Sequence, residues 1–147
     1  MIITGVYDGP LTGGTPKGVE LYVLNNIADL SLFGVSSVSN GDGSTAGNVE
    51  FSFPSGAATA GTFIYVSTEA TNFTAFFGFA PTYTTGTVGI NGDDSIELYE
   101  NGQIIDVFGD VNADFSGEAY DYLDGWAYRN SGTGPDGSTF ALGSWSF

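Results

Sequence analysis

The sequence predicts an all-β fold with at most one short helix, and three observations carry that expectation. Short runs of apolar, β-branched and aromatic residues recur along the 147 residues. Clusters of Gly, Asn, Asp, Ser and Pro separate them, with 23 glycines in all, and such punctuated short runs are the signature of strands joined by turns. Asn101-Gly102 sits between the alternating runs Ile96-Glu97-Leu98-Tyr99 and Ile104-Ile105-Asp106-Val107. That is a hairpin signal, because a type I′ turn needs positive φ at both central residues.

Taken in order, the runs predict strands near 1–7, 18–24, 31–38, 48–53, 62–67, 86–90, 95–100, 103–109, 124–129 and 138–147. Asp8-Gly9-Pro10 reads as a turn, and Gly41, Gly43 and Gly47 mark a long one beside Asn40 and Asp42. In the Asn101-Gly102 hairpin, alternation lets Ile96 and Leu98 share a side with Ile105 and Val107. The segment Asn72–Gly78 reads as a short helix with Phe73, Phe76 and Phe77 on one face and Gly78 ending it, or as an aromatic loop plugging a sandwich edge. Val19-Glu20-Leu21-Tyr22 and Ile96-Glu97-Leu98-Tyr99 echo each other, as two strands with the same job in two sheets would. Alternation puts Glu and Tyr on one face of each, and Leu with its preceding apolar residue on the other.

Composition bounds the function. Length suits a single domain, 1–147, and the 41% apolar content is enough for a core. With neither Cys nor His, zinc sites of the usual kind, disulfides, Ser-His-Asp triads and Cys-His pairs are excluded. Lys17 and Arg129 are the two bases against 17 acids, for a net charge of −15. No basic patch is available, so direct nucleic-acid binding is not expected. No apolar stretch approaches the roughly 20 residues of a membrane span, and no membrane insertion is expected. The strong acidity and near-absence of lysine fit an extracellular or cell-surface home. Met1-Ile2-Ile3 lacks the basic start and apolar run of a signal peptide, so a secreted form would have lost its leader.

The order of motifs resembles the lamin tail domain, in the form found in bacterial secreted proteins. The matching pieces are Val19-Glu20-Leu21-Tyr22, Asn26, Asp29-Leu30, Phe51-Ser52-Phe53-Pro54 and Gly61-Thr62-Phe63-Ile64-Tyr65-Val66. After Phe76-Phe77-Gly78 come Asn91-Gly92-Asp93-Asp94-Ser95-Ile96-Glu97-Leu98-Tyr99, then Asn101-Gly102, Ile105-Asp106-Val107-Phe108-Gly109, Trp126 and Arg129. The resemblance covers nearly the whole chain. It implies an immunoglobulin-like β-sandwich that is not itself catalytic, appended to an extracellular nuclease, another secreted hydrolase or a surface protein. Lamin tails have been linked to chromatin; with two bases, DNA binding is not carried over.

Chemistry-bearing groups concentrate late in the chain. Eleven of the 17 acids lie from Asp93 onward, six of them between Asp106 and Asp124. Within that stretch Asp110, Asn112, Asp114, Ser116, Glu118 and Asp121 place oxygens at positions 1, 3, 5, 7, 9 and 12 of a calcium loop, the donor number a hard cation requires. Phe115 stands where such loops carry Gly, and Asp121 is shorter than the usual Glu. A solvated acidic loop is the plainer reading and bound Ca²⁺ the sharper one. Asp93-Asp94 reads first as a turn with side-chain-to-backbone bonds. Gly132–Gly137 fits G-x-G-x-x-G but carries Pro135 and no following helix, so it reads as a glycine-rich loop. A glycosidase pair of carboxylates has no specific candidate here. Trp126, Tyr128, Trp145, Tyr120 and Tyr122 form either a sugar-stacking face or half-buried sandwich residues. Asn72-Phe73-Thr74 is a lone glycosylation sequon, and Arg129 is expected to pair with a carboxylate.

Both ends form strands readily. They complete their own sandwich or, in a second reading, add to a neighbour's edge head to tail, which yields filaments. The sequence therefore points to a non-catalytic extracellular binding or accessory module of a secreted or cell-surface protein, stabilised by calcium in the sharper reading. Its partner is a protein or glycan not identified by the residues. The alternative is a subunit of an extracellular filament assembled by head-to-tail β-strand addition.

Overall fold

The computed structural model describes residues 1–44 and 47–147. It is an all-β sandwich of two sheets with one α-helix among the described residues. The strands are β1 (Ile2–Leu11), β2 (Thr15–Tyr22), β3 (Phe33–Val38), β4 (Phe51–Ser52), β5 (Phe63–Ser67), β6 (Tyr83–Thr84), β7 (Ser95–Glu100), β8 (Gln103–Phe108), β9 (Trp126–Arg129) and β10 (Trp145–Ser146). Helix α1 (Thr71–Phe77) lies between β5 and β6. The larger sheet has the order β10-β9-β1-β2-β5-β6 and the smaller β4-β3-β7-β8. All pairings are antiparallel except β5 with β6.

The core lies between the two inner faces. Val6, Val19, Leu21, Ile64 and Val66 of the larger sheet meet Val35, Ile96, Leu98 and Phe108 of the smaller, all buried. The two Glu-Leu-Tyr echoes do occupy one strand in each sheet, β2 and β7. In each, Leu and its apolar predecessor face inward. In β7 the outward Glu97 and Tyr99 are buried as well, and the Tyr99 hydroxyl donates to Glu97 at 2.6 Å. The described parts of the 39–50 segment cover that face. Ser36 Oγ donates to the Asn48 carbonyl (2.8 Å) and accepts from the Glu50 N–H (3.0 Å), and a Cβ on Gly34 would strike Val49.

The Asn101-Gly102 turn forms with φ of 51° and 73°, as the I′ signal requires. The facing residues differ from the alternation. Leu98 pairs with Asp106 and Tyr99 with Ile104, leaving Ile105 as the extra residue of a bulge. Beyond it the register has slipped by one, so Asp106 and Phe108 share the inner face with Leu98 and Ile96 while Val107 turns outward beside Glu97. A bulge reverses which side chains face the core, because the pleat has a period of two.

Other expectations are corrected at the ends of elements. Asp8-Gly9-Pro10 continues β1, because the Asp8↔Lys17 pair prolongs the ladder, and the turn falls at Thr12–Gly14. The run at 86–90 is not a strand: Gly86–Val88 forms a 3₁₀ turn whose Thr85 hydroxyl accepts from the Thr87 N–H (3.3 Å). Val88 and Ile90 fill the core from that turn without joining a ladder. Strand pairing in 48–53 reduces to Phe51–Ser52, and in 138–147 to Trp145–Ser146 after a 3₁₀ turn at Leu142–Ser144. In α1 only Phe73 is buried and Phe77 half-buried, whereas Phe76 is 49% exposed. The helix is docked through Phe73 and Phe77, one turn apart, onto Tyr7 and Trp126 of the larger sheet's outer face.

Candidate functional site

Both cations lie on the inner face of the larger sheet, at opposite ends of the sandwich, and each holds a buried carboxylate. Lys17 Nζ donates to Asp8 at 2.7 Å and to the Ile90 carbonyl at 2.5 Å. Arg129 reaches both oxygens of Asp106 at 2.8 Å, Asp136 at 2.6 Å and the Ile3 carbonyl at 2.6 Å. Its guanidinium lies 4.5 Å from the centroid of the Trp145 ring. Asp106 also accepts from the N–H groups of Ile3 (2.8 Å) and Asp136 (2.9 Å). Burial pushes the Asp106 and Asp8 carboxyls above the usual range, against the opposing pull of Arg129 and Lys17. The expected Arg129–carboxylate pairing is thus present with two partners, and the Gly132–Gly137 loop wraps the guanidinium.

The six residues read as calcium donors lie on one loop that is held by its own backbone. Asp110 accepts from the Asn112 N–H (2.9 Å) and Asp114 from the Ser116 N–H (3.0 Å). Asp121 accepts from Gly117 (2.7 Å) and Leu123 (2.8 Å), and Glu118 points to solvent. Phe115, where a calcium loop has Gly, is fully buried against Tyr120 at 4.7 Å and anchors the loop to the core. Among the described residues no three Asp or Glu side chains converge on one point. Asp93, which the spacing did not include, has its carboxyl raised, chiefly by burial and secondarily by the charges of Asp114 and Asp121.

Asp94 serves the turn as expected. It accepts from the N–H groups of Asn40 (3.1 Å) and Asn91 (3.2 Å), and its carboxyl is raised, burial being the largest cause. The five aromatics do not make one face. Tyr122 and Trp145 are buried, Trp126 and Tyr120 half-buried, and Tyr128 is exposed. The sequon Asn72 is on α1, its amide donating to Thr15 Oγ1 at 2.9 Å.

Two clefts on the outer face of the larger sheet combine polar and aromatic chemistry. One, of about 600 Å³, runs over Tyr22 and Phe63 between the start of β1 and the loop after β9. Those rings are 4.9 Å apart, and Thr4, Asn130, Ser131 and Thr133 line the edges. The sequence assigns neither ring to a site. The available signal was an aromatic at the non-core position of two strands, which become neighbours only through the Tyr22↔Phe63 pairing. The second cleft, of about 170 Å³, lies beside α1. Comparison with protein-family models, curated proteins and solved structures returns no match to this chain.

Proposed function

We propose that the chain is a non-catalytic binding module of a secreted or cell-surface protein, of the kind the lamin-tail-like order of motifs implies. We further propose that its ligand is a neutral glycan seated over Tyr22 and Phe63. The observation that carries this reading is the makeup of the larger cleft. Two adjacent rings offer apolar platforms for sugar C–H faces. Hydroxyl and amide groups border them. The one cation of the lining, Arg129, is engaged by Asp106 and Asp136. Clefts with aromatic walls and a few polar groups are ligand sites by default.

The test is a titration of the ¹⁵N-labelled protein with neutral hexasaccharides of glucose, xylose and N-acetylglucosamine. One of them is expected to shift the Tyr22, Phe63 and Ser131 amides, and the Tyr22→Ala/Phe63→Ala pair to abolish the effect. Absence of shifts with all three, or shifts that survive the double substitution, overturns the glycan reading. The alternative, a filament subunit, rests on β8, a six-residue strand at the edge of its sheet. Since β1 lies between β9 and β2, assembly would proceed by edge addition rather than by exchange of β1. Calcium at the Asp110–Asp121 loop is retained as a proposed stabiliser, independent of the glycan cleft.

A further inference from the structure

The small cleft beside α1 is walled by aromatic rings set at steep angles. Phe77 stands at 86° to Trp126 with centroids 5.1 Å apart, and at 72° to Tyr7 with centroids 5.5 Å apart. Phe76, which the helix leaves 49% exposed, and Pro16 also line the space. Its rim carries Asp124, which makes no salt bridge among the described residues. The volume of about 170 Å³ is several times the roughly 30 Å³ share of a water molecule, enough for one small head group.

We propose that this cleft binds an organic cation, a quaternary ammonium head group. Three observations select that occupant. Ring faces attract a cation through their quadrupoles when it lies within about 6 Å of the centroids. Such a cation needs no hydrogen-bond acceptor on its methyl groups, which suits walls built of Phe76, Phe77, Trp126 and Pro16, with the buried Tyr7 behind them. The single ionic group of the lining is a carboxylate, on a chain whose net charge of −15 attracts cations and repels anions. The exposure of Phe76, unexplained by packing, is then that of a rim residue. This site is separate from the glycan cleft and stands or falls independently of it.

The test compares choline with its uncharged isostere 3,3-dimethyl-1-butanol, titrated into the ¹⁵N-labelled 147-residue chain at fixed ionic strength. Choline is expected to shift the Trp126 indole N–H and the Phe77 amide, and to bind at least about fivefold more tightly than the isostere. Asp124 has a φ of 52°, a conformation that Asn also tolerates, so Asp124→Asn keeps the backbone. It is expected to weaken choline by about threefold while leaving the isostere unchanged. Phe76→Ala, at an exposed position, is expected to weaken choline as well. Equal affinity for the two probes, shifts confined to other parts of the chain, or choline binding untouched by both substitutions overturns the proposal. Tighter binding of N-acetyl-lysine amide than of choline overturns the assignment to a quaternary head group.

Discussion

Asp106 is wholly buried, and its two oxygens are satisfied only while Arg129 and two backbone N–H groups surround them. Removing one partner of a buried pair leaves an uncompensated charge and costs about 3–5 kcal/mol. Arg129→Met is therefore expected to lower the unfolding free energy from urea denaturation by that order, with a matching fall in the midpoint, and Arg129→Met/Asp106→Asn to recover part of the loss. An unchanged midpoint for the single substitution would show that water reaches the carboxylate. Gly18 illustrates a different constraint. A Cβ there would overlap the Val66 carbonyl and the Tyr7 ring, whose hydroxyl donates to that same carbonyl at 3.1 Å. Gly18→Ala is expected to destabilise by about 1–3 kcal/mol, the range for overpacking, measured by the same denaturation.

Among the elements, α1 is short and depends on borrowed stabilisation. Its N-cap residue Ala70 has no side-chain acceptor, and Glu69 supplies one instead, accepting from the N–H groups of Asn72 (2.8 Å) and Phe73 (3.2 Å). Glu69→Ala is expected to cost about 1 kcal/mol, the usual worth of a cap. It should also loosen Phe77 against Trp126, read as a change in indole fluorescence. The turn of the β7–β8 hairpin depends on backbone conformation rather than on packing at Gly102. A Cβ at Gly102 meets open space, yet φ there is 73°. Gly102→Ala is expected to destabilise by about 1–2 kcal/mol through strain, whereas any loss from Gly18→Ala comes from overlap.

For the whole molecule the dominant fact is an acid surplus that reaches into the fold. Burial raises the carboxyls of Asp8, Asp93, Asp94 and Asp106. A carboxyl raised above its unfolded value of about 3.9 binds its proton more readily in the native state. These groups therefore favour folding most at acid pH, and that advantage is lost as pH rises through their native values. Asp29, lowered by its bonds to the Ser31 N–H, acts in the opposite sense and loses its contribution only at still lower pH. Scanning calorimetry at constant ionic strength is expected to give a higher Tm at about pH 4, where the unfolded carboxyls begin to ionise, than at about pH 7. The reverse order would mean that the ion pairs of Asp8 and Asp106 outweigh their burial. The calcium proposal is read in the same instrument. Binding to the native state must raise Tm with millimolar Ca²⁺ against chelator, and identical melts exclude it.

How much of this was legible depended on whether the signal was local. The β-class, the Asn101-Gly102 turn and the matched faces of β2 and β7 follow from chain geometry, because turn chemistry and a period of two are properties of a few consecutive residues. The register of β8 was not legible. Nothing near Ile105 announces a bulge, and that one residue turns Asp106 into the core, where Arg129 meets it from a strand of the other sheet. Nor was the pairing of Tyr22 with Phe63, since it brings together residues distant in sequence. The sequence by itself determined the fold class, the scarcity of cations and the absence of His and Cys chemistry. Only tertiary structure decided that both cations would be engaged inside the sandwich and that aromatic rings would line its outer clefts. The physical reason is that pairing and burial are set by contacts across sheets, which no local pattern encodes.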